Sequence, residues 1–342
     1  MSSRRHLALG ASLCLVLAAV WSAGAAEAVT VVDQTGRVVT LSGPVERIAS
    51  IYGLGTYYLY ALGVQDRLVA GGYVGVKSVA QASEAMLRFE PRLEELLVFG
   101  DPNVEELIAR GAQLLLVDGS RHAGFAEQMT DLGIPVLQYL VETGDAMKEA
   151  VRLTGRALGG EATTRAEAFI ADYDRILETV AADLANLQEE ERLRVLFVGT
   201  SPLRVASGEM YQTELIEAAG GLSVSVDLFG YWNDVNLEQV LLWNPDVILI
   251  PPYGSIQPGD LLENPDWQAI RAVRDGRVYR MPRLIAPMDT PVPESILGIV
   301  WMAGILYSDL ISLDLAEEAA RFYATYYDFV LTEDDLALLI AP

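Results

Sequence analysis

The chain has 342 residues, of which 47 are acidic and 24 basic, for a formal charge of −23. That balance excludes a nucleic-acid partner, which needs a basic face. One cysteine, Cys14, and two histidines argue against a disulfide framework and against zinc or non-haem iron centres, which draw on several imidazoles or thiolates.

Arg4 and Arg5 precede an apolar run over residues 7–21, and Ala23-Gly24-Ala25 closes it. A basic head, an apolar core and an A-x-A ending predict a signal peptide over residues 1–26, cleaved near residues 25–28, and so a periplasmic protein. The run is too short to span a bilayer, which takes about 20 residues. Leu13 stands before Cys14 where lipid attachment needs a small residue. Cleavage would leave a thiol-free chain whose one histidine is His122 and whose charge is −23 − 2 = −25. About 316 residues then remain, enough for two lobes.

In chain order, residues 29–33 and 37–41 flank a Gln34-Thr35-Gly36 turn and predict a hairpin. Strands are predicted at 47–51, 68–70, 114–117 and 135–138, with helices at 54–62, 104–109, 123–132 and 145–158 between and after them. Such alternation implies a parallel sheet. From residue 161, apolar residues recur every three or four positions through Phe169, Tyr173, Ile176, Val180 and Leu187, predicting one long helix that ends in the charged run 188–192. The pattern then restarts with strands at 194–198, 247–250 and 277–281 and helices at 211–219, 293–307 and 315–329. Asn103-Val104-Glu105 opens a helix followed by the strand at 114, and Asn236-Leu237-Glu238 opens one followed by the strand at 247. This spacing marks an internal repeat. The expected fold is α/β: two Rossmann-like lobes with central parallel sheets (residues 27–160 and 191–342), joined by a long helix at 161–190.

Ligands of parallel sheets sit beyond the carboxyl ends of the strands. The loops expected there carry Tyr52, Tyr73, Phe99, Arg121, His122, Ser201, Arg204, Tyr231, Trp232 and Tyr253, which are the candidate ligand-binding residues. Aromatic faces beside a few guanidiniums suit a large, partly apolar, anionic ligand. Arg121, Arg204 and one of Arg88 or Arg283 are the expected cleft cations. No G-x-S-x-G elbow or G-x-x-x-x-G-K-[ST] loop is present, so catalysis is not expected. Glu105 and Glu238 each fall in a helix first turn, where the macrodipole favours a carboxylate.

The segments 33–39, 47–50, 61–69, 215–221, 244–248 and 272–279, in this order, resemble the helical-backbone (class III) periplasmic binding proteins, which serve importers of ferric siderophores, haem and cobalamin. The resemblance implies two rigid lobes around a ligand cleft, a membrane-embedded ABC permease dimer as partner, and Glu105 and Glu238 as its docking acids. It also places Trp232 where relatives often face the ligand. The implied protein is a monomer without enzymatic activity, cofactor or resident metal ion. Its expected ligand is an iron chelate of the carboxylate or hydroxamate type. Cobalamin, haem and molybdate or tungstate are the alternatives on the same scaffold, and a periplasmic enzyme is the remote one.

Overall fold

The computed structural model describes residues 28–100 and 103–340, so the expected signal peptide at 1–26 lies outside the described residues. The first half opens with the hairpin of β1 (Val29–Val32) and β2 (Val38–Leu41). Asp33 Oδ1 closes its turn by accepting from the Thr35 N–H and hydroxyl and from the Arg37 N–H, at 2.8–3.1 Å. There follow β3 (Ile48–Ser50), α1 (Gly53–Ala61), β4 (Leu68–Gly71), α2 (Glu84–Phe89), α3 (Leu93–Leu96), α4 (Val104–Ala109), β5 (Leu114–Asp118), α5 (Ala123–Asp131), β6 (Val136–Tyr139) and α6 (Gly144–Leu158). Strands β3 to β6 pair in parallel in the order β4-β3-β5-β6. Helices cover both faces, which is why β5 is apolar at four successive buried positions rather than at every second one.

The 24-residue α7 (Gly160–Asp183) comes next, about 36 Å long at 1.5 Å per residue. Its buried stripe is Ala162, Ala166, Phe169, Ile170, Tyr173, Ile176 and Val180. It ends earlier than the expected residue 190. The turn after Asp183 tightens to three-residue hydrogen bonds (Ala185 to Ala182, Leu187 to Leu184). Gln188 then opens a separate capped turn with Glu191, drawing the backbone off the helix axis.

The second half contains β7 (Arg194–Phe197), β8 (Arg204–Val205), α8 (Tyr211–Ala218), β9 (Leu222–Ser223), β10 (Asn233–Asp234), α9 (Leu237–Trp243), β11 (Val247–Ile250), α10 (Pro258–Leu262), α11 (Arg271–Arg274), β12 (Val278–Arg280), α12 (Ser295–Tyr307), α13 (Leu315–Tyr326) and α14 (Glu333–Ile340). Its sheet runs β12-β11-β7-β9, again parallel. Taken in chain order, both sheets place their strands second, first, third, fourth. The repeat seen at Asn103 and Asn236 is therefore one of whole sheet topology.

The expected last helix, 315–329, stops at Tyr326, because Asp328 adopts a left-handed backbone with φ of 49°. Helix α14 was not expected, although Thr332 and Asp335 bond reciprocally across its first turn. The chain after Tyr326 packs on the first half. Tyr327 and Phe329 lie 5.1 and 5.7 Å from the Phe89 ring, and Arg88 pairs with Asp335. One apolar core accordingly runs through both halves, from Ile48 and Leu116 to Phe197 and Leu249. No helix among the described residues is long and apolar enough to cross a membrane.

Candidate ligand cleft

In each sheet the first strand lies between the second and third: β3 between β4 and β5, and β7 between β9 and β11. Connections leaving such a strand diverge, and the crevice at that point is where open α/β sheets bind ligands. A cleft of about 920 Å³ opens there, walled by residues of both halves. Tyr52 follows β3, Arg121 and His122 follow β5, Tyr231 and Trp232 precede β10, and Tyr253 follows β11. With Tyr73, Phe99 and Arg204, all of these line the cleft. Ser201 does not. Its carbonyl accepts the Arg204 N–H at 3.0 Å, so the residue forms the exposed bend between β7 and β8 instead of facing the cavity.

The aromatic walls differ in character. Tyr52 stacks on Tyr139 at 5.9 Å with an 11° interplanar angle, and burial pushes its hydroxyl well above the ordinary range. Tyr73 is only 7% exposed and its hydroxyl bonds that of Tyr60 at 2.7 Å, so it is mainly a buried wall. Phe99 is 66% exposed, with Lys77 Nζ 5.4 Å from its ring centre. Trp232 is half-buried with its ring 6.4 Å from Phe197. Its indole lies against Gly199, where a Cβ would come within 2.9 Å of the ring. Tyr253 donates its hydroxyl to Asp289 Oδ2 at 2.7 Å. Asp289 is fully buried, and burial pushes its carboxyl up to about 6.

The charges are nearly balanced. Arg121 lies 3.8 Å from Asp118, and Arg204 lies 3.9 Å from Asp234. Burial works to raise the Asp118 carboxyl, but the Ser120 hydroxyl and the N–H groups of Ser120 and Arg121, all on Oδ1, hold it below the ordinary value. Glu142, from the first half, accepts the Tyr231 hydroxyl of the second at 2.7 Å. Burial raises the Glu142 carboxyl, and its hydrogen bond pushes Tyr231 up to about 12. Arg88 and Arg283 are engaged elsewhere, Arg88 with Asp335 and Arg283 with the Gln81 carbonyl at 2.8 Å. Among the described residues the cleft thus holds two guanidiniums against the carboxylates of Asp118 and Glu142, and that of Glu106 pairs with Arg110 at 2.6 Å.

Asp118, Glu142, Gln212 and Thr290 also line the cleft and were not anticipated. Asp118 was within reach of sequence reading, as the last residue of β5 and three before Arg121. Glu142 was as well, in the loop just after β6, whereas Gln212 carries no such signal, since it reaches the cleft through the packing of α8. Among the described residues, no group of three or more His, Cys, Asp or Glu side chains is placed to hold a metal ion.

Glu105 and Glu238 lie outside the cleft, both exposed, each as the second residue of its helix. Asn103 Oδ1 caps α4 by accepting from the Glu106 N–H at 3.0 Å, and Asn236 Oδ1 caps α9 from the Gln239 N–H at 2.9 Å. The two acids are therefore equivalent in local geometry.

Two sheets of one topology, a long helix between them and a cleft at both switch points define a helical-backbone binding protein. Residues 48–284 match the family of periplasmic binding proteins, and the chain belongs to that family. It is 25% identical over 352 residues to the molybdate-binding protein MolA of Haemophilus influenzae, covering 95% of this chain and 97% of that one. The structure of MolA bound to molybdate superposes with a TM-score of 0.78 at 23% identity, covering 89% and 99% of the two chains. A periplasmic solute-binding protein from Veillonella parvula superposes with a TM-score of 0.78 at 26% identity, covering 92% and 97%. The vitamin B12-binding protein of Vibrio vulnificus is 22% identical over 263 residues, 75% of this chain and 89% of that one.

Proposed function

We propose that the protein is the exported, periplasmic solute-binding component of an ABC importer, a monomer that captures a metal-bearing solute and presents it to a membrane permease dimer without chemical turnover. The cleft carries this reading: about 920 Å³ between two lobes, rich in aromatic faces and holding two guanidiniums among the described residues. That volume exceeds what a bare ion needs and suits a preformed complex. With Asp118 and Glu142 balancing Arg121 and Arg204, and Glu106 paired to Arg110, the cleft offers no surplus of positive charge to a strongly anionic catecholate complex. A ferric chelate of the hydroxamate or carboxylate type, of low net charge, is the preferred cargo. Residues 27–160 and 191–342 act as the two lobes and α7 as the stiff link that limits closure.

A second ligand reading, a molybdate-type oxyanion, is favoured by the similarity to MolA, which extends over nearly the whole of both chains. Arg121, Arg204 and the tyrosine hydroxyls would then supply donors to its oxygens. A thermal-shift screen with a ferric hydroxamate, ferric citrate, haem, cobalamin, molybdate and tungstate separates the two, with calorimetry on each hit. Stabilisation by the ferric chelates supports the first reading, and by the oxyanions alone the second. Tight binding of bare zinc or manganese with no response to any of the six would sink both.

A further inference from the structure

One carboxyl group lies behind the second-half wall of the cleft, out of reach of solvent. Asp289 is fully buried in the segment between β12 and α12. Its Oδ2 accepts the Tyr253 hydroxyl at 2.7 Å, whereas its Oδ1 is buried with no hydrogen-bond partner among the described residues. Three groups face it: Tyr253 from the loop after β11, the Gln212 amide from α8, and the Arg283 guanidinium from its own segment. Arg283 donates to the Gln81 carbonyl at 2.8 Å and forms no ion pair with Asp289. A buried anion with one oxygen unsatisfied is costly, so the neutral acid competes with it. Burial accordingly pushes this carboxyl up to about 6, although Tyr253, Gln212 and Arg283 all favour the anion.

Tyr253 connects this acid to the cleft, whose wall it forms together with Gln212 and Thr290. Its side chain is held in place from the other half. A Cβ on Gly75 would stand 3.0 Å from Tyr253 Cβ, so the Gly75 backbone packs directly on it. What remains free to move is the hydroxyl proton, and a phenol has only one. Beside ionised Asp289 the carboxylate holds that proton, and Tyr253 offers the cleft lone pairs alone. Beside neutral Asp289 the acid can donate across the same 2.7 Å, which releases the phenol proton towards the cleft.

We propose that Asp289 is a positioning residue that sets whether Tyr253 meets the solute as acceptor or as donor, and that a solute presenting an acceptor atom there binds with uptake of a proton at Asp289. This deepens the solute-binding reading above and rests on it. The oxygens of a ferric chelate and those of an oxyanion are both acceptors, so the device serves either cargo. Binding that favours the acid raises its pKa. Affinity therefore climbs as pH falls towards about 6, the value for the solute-free acid, and levels off below it.

The test has two arms. In the first, without solute, carbon NMR follows the Asp289 carboxyl and Tyr253 Cζ through a pH titration of the mature protein. Both should move through one midpoint, and the Tyr253 movement should vanish in Asp289→Asn. In the second, calorimetry with molybdate and with a ferric hydroxamate is run in buffers of different ionisation heat, so that proton uptake is counted. A probe that binds should do so about tenfold more tightly at about pH 5.5 than at about pH 8, the gain when binding raises the acid's proton affinity about tenfold. The Asp289→Asn amide can donate to Tyr253 at any pH, so this variant should bind at the higher pH as tightly as the parent does at the lower. A merely structural role would instead weaken binding at both. Tyr253→Phe should bind weakly at both and lose the pH dependence. A Tyr253 carbon that ignores the Asp289 titration, or an Asp289→Asn protein that keeps the parent's pH dependence, overturns the proposal. If neither probe binds, the solute reading loses both its candidates, and the carbon titration alone decides whether Asp289 turns the Tyr253 proton.

Discussion

Trp232 can lie against the second sheet only because residue 199 has no side chain. Gly199→Ala is expected to push the indole into the cleft and weaken solute binding. The effect should approach that of Trp232→Ala or Arg121→Ala, each roughly 1–3 kcal/mol, as for a buried aromatic anchor or a charged hydrogen bond. Calorimetry on the three variants, with melting curves alongside, checks this; the cleft is misplaced if Trp232→Ala and Arg121→Ala both bind like the parent. Tyr231 makes a different contribution. Its hydroxyl crosses the cleft to the Glu142 carboxylate, so Tyr231→Phe leaves that acid without its donor. The expected result is a Glu142 titration moved further upward, visible by carboxyl-carbon NMR; an unmoved titration would show that the bond does not persist in solution.

At the scale of elements, α4 and α9 are built alike: an asparagine cap, then an apolar residue, then an exposed glutamate. Asn236→Ala should cost about 1 kcal/mol of stability through the lost cap. A first-turn carboxylate contributes only about 0.3–1 kcal/mol through the helix dipole, so Glu105→Ala and Glu238→Ala should scarcely alter stability or solute affinity. As docking acids they would matter far more to transport, where losing one leaves a basic group of the partner unpaired. Uptake into vesicles reconstituted with the permease should therefore fall sharply, most of all in the double variant. Normal uptake by the double variant would reduce both residues to helix-end charges.

For the whole molecule, two buried acids link folding to pH. Asp289 is pushed up to about 6 and Glu294 to about 7, in both cases mainly by burial. Both lie between β12 and α12, the stretch that also supplies Thr290 and Pro291 to the cleft. Because the folded pKa of each exceeds the unfolded one, the folded state keeps protons that the unfolded chain releases between about pH 4 and 7. Stability should consequently fall as pH rises through that window, by about 3 kcal/mol for each acid if it acts alone. Asp289→Asn and Glu294→Gln should each flatten the fall in denaturant melts taken from pH 4 to 8. An unchanged slope in both variants would mean that other groups govern it. Any closure of the cleft would have to keep the contacts between the halves. The halves are joined by α7 and also by Tyr327, Phe329 and Asp335, which pack back on Phe89 and Arg88.

Strands, helices and their repeat were legible in the chain because parallel strands and amphipathic helices carry local hydrophobic periods; α4 and β11 fall on their expected residues. Nine of the ten cleft candidates were legible for a related reason, since loops at the carboxyl ends of strands converge whatever their sequence. Ser201 failed because a hydrogen bond three residues long, with no hydrophobic signature, decides which way its loop turns. Gln212, the Tyr253–Asp289 pair and the Arg204–Asp234 pair were invisible, because each depends on how one element packs on another. Local periodicity determined the elements and their alternation. Burial, charge pairing and the meeting of the two halves are properties of three-dimensional distance, and only the tertiary structure decided them.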